Sequence, residues 1–305
     1  MSETALILEI KGNSLDDGPG IRSVVFFKGC PLSCLWCHNP ESKQVGAEIS
    51  FQADECVACD TCLTICSLDA LSREYPFFVD RQRCNLCFEC ADECPSGALS
   101  RAGIDMSVDT VVDQILKDKP FYDTSGGGVT FSGGEPTLHM NFLEQVLIQL
   151  KSQGVQTLIE TCGHFNMNKF QEQIYPHTNM IFYDIKIIDK NNHQQYCGRG
   201  NELILKNFAA LYKQWQKGGV EILPRIPLIP GITDTDKNIE DIISFFREMG
   251  VTKTHLIPYH PLWQEKNQQI GIEAEKPTDI ELQHWISQEK IKKCEEKFRS
   301  AGILT

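Results

Sequence analysis

From residue 107 onward the apolar positions switch repeatedly between two periods. Val108, Val111, Val112, Ile115 and Leu116 recur at helical spacing, and GGGVTFSGG at 126–134 then predicts a short strand bounded by glycines. Phe142, Leu143, Val146, Leu147 and Leu150 mark another amphipathic helix. VQTLIET, MIFYDIK, VEILPRI and THLIPY read as short buried strands, separated by helical patterns at ELILKNFAALYKQW and NIEDIISFFREMG. IRSVVFF near the N-terminus makes six strands, five of them alternating with helices, which predicts a parallel sheet with right-handed crossovers. Six units are too few for a closed eight-fold barrel, so the expected α/β fold is a partial (β/α)6 barrel with its chemistry at the C-terminal strand ends. A last helix is expected from the capping box Thr278–Glu281 through Leu282, Trp285, Ile286 and Phe298, with Cys294 on its apolar stripe as a packed core thiol.

Residues 52–102 break this rhythm. Cysteines are dense there and long apolar runs are few, so the expected organisation is a barrel from 1–51 and 103–305 with a small insert at 52–102.

The 305 residues are 41% hydrophobic and 23% charged, ordinary for a soluble globular protein. The formal charge of −12, without a dense Lys/Arg run, makes nucleic acid and anionic membranes poor partners. MSETALILEIKG has no basic leader region and its apolar run is broken at Glu9, so neither a signal peptide nor a membrane span is expected, and a cytoplasmic location follows. Of the fourteen cysteines, eleven lie between residues 30 and 94, a clustering that suggests metal ligation and not a secreted disulfide scaffold.

Two runs inside the insert, CVACDTCLTIC (Cys56, Cys59, Cys62, Cys66) and CNLCFECADECP (Cys84, Cys87, Cys90, Cys94), share the spacing C-x2-C-x2-C-x3-C. A tight turn lets three thiolates grip one [4Fe–4S] cube while the fourth cysteine reaches its neighbour. The expected ligation is therefore crossed, with Cys56, Cys59, Cys62 and Cys94 on one cluster and Cys84, Cys87, Cys90 and Cys66 on the other. Paired four-cysteine zinc sites are the alternative, but they separate their CxxC pairs by a longer loop.

Cys30, Cys34 and Cys37 form C-x3-C-x2-C directly after a strand and Gly29. Three ligands leave one iron open to substrate, unless a distant cysteine such as Cys162 or Cys197 closes the cluster. Neither of those has a motif partner, so both are read as non-ligands.

C-x3-C-x-aromatic-C, with Trp36 before Cys37, resembles the radical S-adenosylmethionine (SAM) superfamily. D-G-P-G-I-R at 17–22, W-C-H-N-P-E at 36–41, S-G-G-E-P at 132–136, Y-D-I-K at 183–186 and P-Y-H at 258–260 narrow the likeness. With these the chain resembles glycyl-radical-enzyme activating enzymes of the pyruvate formate-lyase activating type, in the form with a two-cluster ferredoxin-like insert. The resemblance implies three [4Fe–4S] clusters, SAM, a glycyl radical enzyme as protein substrate and a flavodoxin or ferredoxin as reductant. It implies that SAM meets Trp36, Cys37, His38, Gly133, Gly134, Glu135, Asp184, Ile185, Lys186, Arg225 and His260. Cys30, Cys34, Cys37 and Lys186 would carry the chemistry, and Asp16, Asp17 and Gly18 would hold the substrate glycine loop.

Residue logic supports part of this. Gly133 and Gly134 expose backbone to a ligand, and Asp184 and Lys186 share one strand face. Arg225 suits a carboxylate. Relatives place a monovalent cation at an Asp-Thr pair, here Glu160 and Thr161 beside Asp184. Two rival readings are a radical SAM enzyme for a small molecule and a pure electron-transfer protein.

Overall fold

The computed structural model describes residues 3–273 and 282–305. Among the described residues ten strands form in chain order: β1 (Thr4–Ser14), β2 (Arg22–Phe27), β3 (Glu48–Phe51), β4 (Leu99–Ala102), β5 (Ile104–Ser107), β6 (Gly128–Gly133), β7 (Gln156–Thr161), β8 (Met180–Asp184), β9 (Glu221–Leu228) and β10 (His255–Pro258). Eight of them make one sheet in the order β10-β9-β8-β7-β6-β2-β1-β5. The six expected strands are the parallel stretch from β2 to β10. The helices Met140–Ser152, Glu202–Trp215 and Asp236–Met249 cover the crossovers, giving the expected partial barrel.

The period-two burial of β1, with Ala5 and Ile7 buried, lets it pair antiparallel with both β2 and β5. This two-strand extension of the sheet was absent from the sequence reading, which weighed the N-terminal run only as a leader or span.

The last helix begins later than expected. It runs from Gln288 to Ser300, with the Ser287 hydroxyl capping the Lys290 N–H. The capping box at 278–281 lies outside the described residues. Leu282 and Ile286 are buried ahead of the helix, and Trp285 is 65% exposed instead of lying on the stripe. Cys294 is buried, as expected of a core thiol.

The barrel core is deep. Phe27 packs with Phe131 and Phe142, and Phe208 with Tyr183, Tyr212 and Phe246, all almost inaccessible to water. Each such ring contributes roughly 1.5–3 kcal/mol by burial. The cysteine-rich segment stands apart. Its base is the antiparallel pair β3–β4, and its own small core is Ile49, Leu71, Phe78, Val79, Cys90 and Leu99.

Candidate active site and cluster centres

The tripod loop leaves β2 at Phe27 and is clamped from three sides. Gly29 N donates to Ser42 O at 2.6 Å and Cys30 N to Lys43 O at 3.1 Å. Glu135 N, just past β6, donates to Gly29 O at 2.8 Å. Ser33 N and Leu35 N donate to Cys197 O and Tyr196 O, each at 2.9 Å. These bonds explain the glycine pair. A Cβ on Gly134 would collide with the Gly29 carbonyl, and Gly133 has φ +95° with the Phe27 backbone against it. The Gly134 N–H is spent on Phe27 O at 2.8 Å.

Beside the tripod, the strand ends present a charged layer to the barrel interior. Asp184 accepts Lys186 Nζ on Oδ2 and Arg225 Nε on Oδ1, both at 2.9 Å. Arg225 also pairs with Glu160, whose other oxygen accepts Ser132 Oγ at 2.6 Å. These side chains are only 11–20% exposed. Burial would raise Asp184, but Arg225 and Lys186 outweigh it and hold the carboxyl below its ordinary value. Burial would lower Lys186 and Arg225, yet Asp184 keeps both above theirs.

At the rim His38 stacks on His260 with centroids 4.0 Å apart, and Trp285 approaches His260 at 5.6 Å. Burial, then His260 and the ammonium groups of Lys266 and Lys186, pushes His38 down to about 4, and burial lowers His260. Both rings are therefore neutral at pH 7. His38 Nε2 and His260 Nδ1 are buried without a hydrogen-bond partner among the described residues, as expected of groups that await a ligand.

Several expected site residues lie elsewhere. Ile185 points oppositely to its neighbours, into the core, as does the Trp36 ring. Glu135 is fully buried and its carboxylate accepts Thr137 N, Thr137 Oγ1, Thr161 Oγ1 and Cys162 N, so it braces β6 to β7. Asp16, Asp17 and Gly18 lie at the far end of β2 from the tripod. There Asp17 O accepts Thr130 Oγ1 at 2.7 Å, and a Cβ on Gly18 would meet Leu158 and Arg22.

The sequence reading set aside two cysteines that the fold brings to the tripod. Cys197 is fully buried against Cys34, which its thiol holds down at about 7 against burial, and Cys162 neighbours Cys30. Lys28 and Lys266 were also missed. Lys28 is fully buried and donates to Glu41 O and Glu48 Oε2, each at 2.6 Å, while Lys266 reaches Asn39 and Glu41 at 2.9 Å. These contacts give W-C-H-N-P-E a structural job.

In the insert the two cysteine runs repeat one backbone. Ala58 and Asp60 in the first, and Leu86 and Phe88 in the second, take φ of 57–65° at equivalent positions, each followed by a helical turn, Thr61–Ile65 or Glu89–Asp92. A small cavity of about 20 Å³ is lined by Cys56, Cys59, Cys62 and Cys94, and another of about 20 Å³ by Cys66, Cys84, Cys87 and Cys90. Among the described residues no three His, Cys, Asp or Glu side chains converge on a single-ion site. Sulfurs splayed around a void suit a cubane better than zinc, which draws its ligands in to about 2.3 Å.

Comparison with known proteins agrees. Residues 16–63 match a 4Fe-4S single cluster domain and residues 77–99 a 4Fe-4S binding domain. The chain is 38% identical over 277 residues to the isethionate sulfite-lyase activating enzyme of Nitratidesulfovibrio vulgaris, covering 89% of each chain. It is 36% identical to the trans-4-hydroxy-L-proline dehydratase activating enzyme of Clostridioides difficile, covering 91% of this chain and 93% of that one. The chain belongs to the glycyl-radical-enzyme activating enzymes. The (2S)-3-sulfopropanediol dehydratase activating enzyme of Klebsiella oxytoca, 33% identical, extends the match to 99% of this activating enzyme and 96% of that one. Family membership makes it a radical SAM oxidoreductase that binds [4Fe–4S] and SAM and sets aside the small-molecule and electron-carrier readings. Among the described residues no helix is long and apolar enough to cross a membrane.

Proposed function

We propose that this enzyme holds three [4Fe–4S] clusters, one on Cys30, Cys34 and Cys37 and two in the insert with the crossed ligation, and that it activates a glycyl radical enzyme. The observation that carries the reading is the juxtaposition of a three-cysteine loop with a buried charged layer and two neutral, unpartnered imidazoles. When bound, the open cluster and SAM supply a 5′-deoxyadenosyl radical that removes hydrogen from a partner glycine Cα.

The chain's own residues bind and orient. Arg225 and Lys186 exchange part of their pairing with Glu160 and Asp184 for the methionine carboxylate. The carbonyl edge of Gly133 and Gly134 accepts the amino group, and His38 and His260 offer flat neutral faces and spare ring nitrogens to the nucleoside. Asp16, Asp17 and Gly18 meet the glycine loop from the other end of the lumen. A monovalent cation at Glu160, Thr161 and Asp184 is left out of this scheme, because Arg225 already bridges the two carboxylates and the Thr161 hydroxyl is donated to Glu135.

Cys162 and Cys197 beside the tripod support a second reading, a closed four-cysteine cluster. The double variant Cys162→Ala/Cys197→Ala separates the two. Retained iron and a SAM-dependent change in the cluster EPR signal support an open iron, whereas loss of the cluster supports closure.

A low-potential flavodoxin or ferredoxin is the proposed reductant, and a reducing cytoplasm suits fourteen free thiols. The central experiment is anaerobic reconstitution. About twelve iron atoms per chain are expected, with SAM cleavage and a glycyl-radical EPR doublet on one co-encoded partner. SAM cleavage with no doublet on any such partner would overturn the proposal.

A further inference from the structure

We propose that Arg81 is a positioning residue for electron flow, tying the inner cluster site of the insert to the barrel and making that cluster easier to reduce than the outer one. This rests on the three-cluster reading above.

Inner and outer follow from β3. Its first residue, Glu48, is pinned to the barrel by Lys28 at 2.6 Å. Ile49 lines the Cys66, Cys84, Cys87, Cys90 void, and Phe51, about 7 Å further along the strand, lines the other. Arg81 donates from Nη1 to Ile49 O at 2.9 Å and from Nη2 to Gln269 O at 3.3 Å. It thereby bridges the wall of the inner void to the barrel helix Trp263–Gln269. Gly271 leaves the guanidinium its space, since a Cβ there would strike Nε.

Arg73 lines the outer void, whereas Arg81 stands behind the Ile49 wall of the inner one, and their circumstances are opposite. Arg73, on the outer void, is 47% exposed and paired with Asp60, so its charge is neutralised and screened. Arg81 is half-buried and no carboxylate hydrogen-bonds it among the described residues. Its Nε is buried without a partner, and it lies three residues ahead of Cys84 in the same loop. The nearby carboxylate, Glu48, is committed to Lys28. A buried cation held only by two carbonyls is costly unless an anion lies near. A four-thiolate cluster is such an anion, and its negative charge grows by one on reduction, so Arg81 favours the reduced form. One electron then passes from the outer cluster, which is oxidised, to the inner, which is reduced. The flavodoxin or ferredoxin donor re-reduces the outer cluster, and the inner one delivers its electron to the tripod cluster.

The test is a stepwise anaerobic reductive titration followed by EPR, with the inner signal assigned by its loss in Cys87→Ala and the outer by its loss in Cys59→Ala. The parent is expected to reduce its inner cluster first. Arg81→Gln should lower the inner midpoint by about 59 mV, a tenfold change in the inner-to-outer electron ratio, and leave the outer midpoint in place. Arg81→Lys should keep most of the original order. Glu48→Gln, which frees the Lys28 charge, should raise the inner midpoint and stands as the check if Arg81→Gln loses iron. An unchanged inner midpoint in iron-replete Arg81→Gln, or in Glu48→Gln, overturns the inference. A parent holding about four iron atoms overturns the three-cluster reading itself.

Discussion

The barrel and its insert are held together by different chemistry. In the barrel, Phe27, Phe131, Phe142, Phe208 and Phe246 are fully buried, and dispersion with apolar burial stabilises the fold without help from metal. In the insert, Val57, Leu68 and Leu86 remain exposed around a core centred on Ile49, Phe78 and Leu99. Its backbone also carries left-handed residues at Ala58, Asp60, Asp69, Phe78, Leu86 and Phe88, each costing roughly 1–2 kcal/mol. Outside the insert, among the described residues, only Asn13 is a non-glycine with positive φ. A segment of about fifty residues with so thin a core and such strain needs an external source of folding energy, and metal–thiolate bonds supply it.

The largest expected effect breaks this contrast directly. After oxidative removal of iron, amides at 56–94 should exchange at near-unfolded rates while those of β6 to β9 stay protected, read by hydrogen exchange with mass spectrometry. An insert that keeps its protection would show that its polypeptide core suffices.

A charge deletion in the barrel is expected to be next in size. Arg225→Ala strands Glu160 and leaves Asp184 with Lys186 alone in a mostly buried layer, and should cost about 3–5 kcal/mol in thermal unfolding. SAM affinity, read by perturbation of the cluster EPR signal, should fall at least a hundredfold. Stability within 1 kcal/mol of the parent would mean that the layer is already hydrated.

The seam between the regions comes third. Lys28→Ala leaves Glu48 and the Glu41 carbonyl without their shared donor and should cost about 2 kcal/mol. Proteolytic nicking between residues 43 and 48 should rise, while barrel strands remain protected. Unaltered nicking would shift the seam to Arg81 and Lys266.

The smallest effect is one of pH. His38 stays neutral in the fold down to about 4, against an ordinary 6.5. As pH falls from 6.5 toward 4, the unfolded chain takes up a proton that the folded site refuses, so stability declines across that window. His38→Asn should flatten the decline in urea midpoints measured between pH 7 and 4.5, and a slope equal to the parent's would place the cause elsewhere.

Much of this was legible in the sequence because it is local. Backbone geometry within one turn sets where the cysteines of each C-x2-C-x2-C run lie, and a period of two sets the shared face of Asp184 and Lys186. The same alternation in Ala5 and Ile7 is the local signal of β1, one that weighing the run as a leader or membrane span does not use. The last helix was placed too early because Leu282, Trp285 and Ile286 mimic a stripe, while Trp285 in fact stands exposed at the mouth.

What the sequence determined by itself is the set of ligands and the succession of strands, because both depend on neighbours a few residues apart. Only the tertiary structure decided that Arg225 bridges Glu160 and Asp184, that Cys162 and Cys197 flank the tripod, and that Gly134 is small because the Gly29 carbonyl lies against it. The partners in each case are between 41 and 163 residues apart along the chain, and no local periodicity carries that information. The sheet order and the packing of its crossovers bring those residues together.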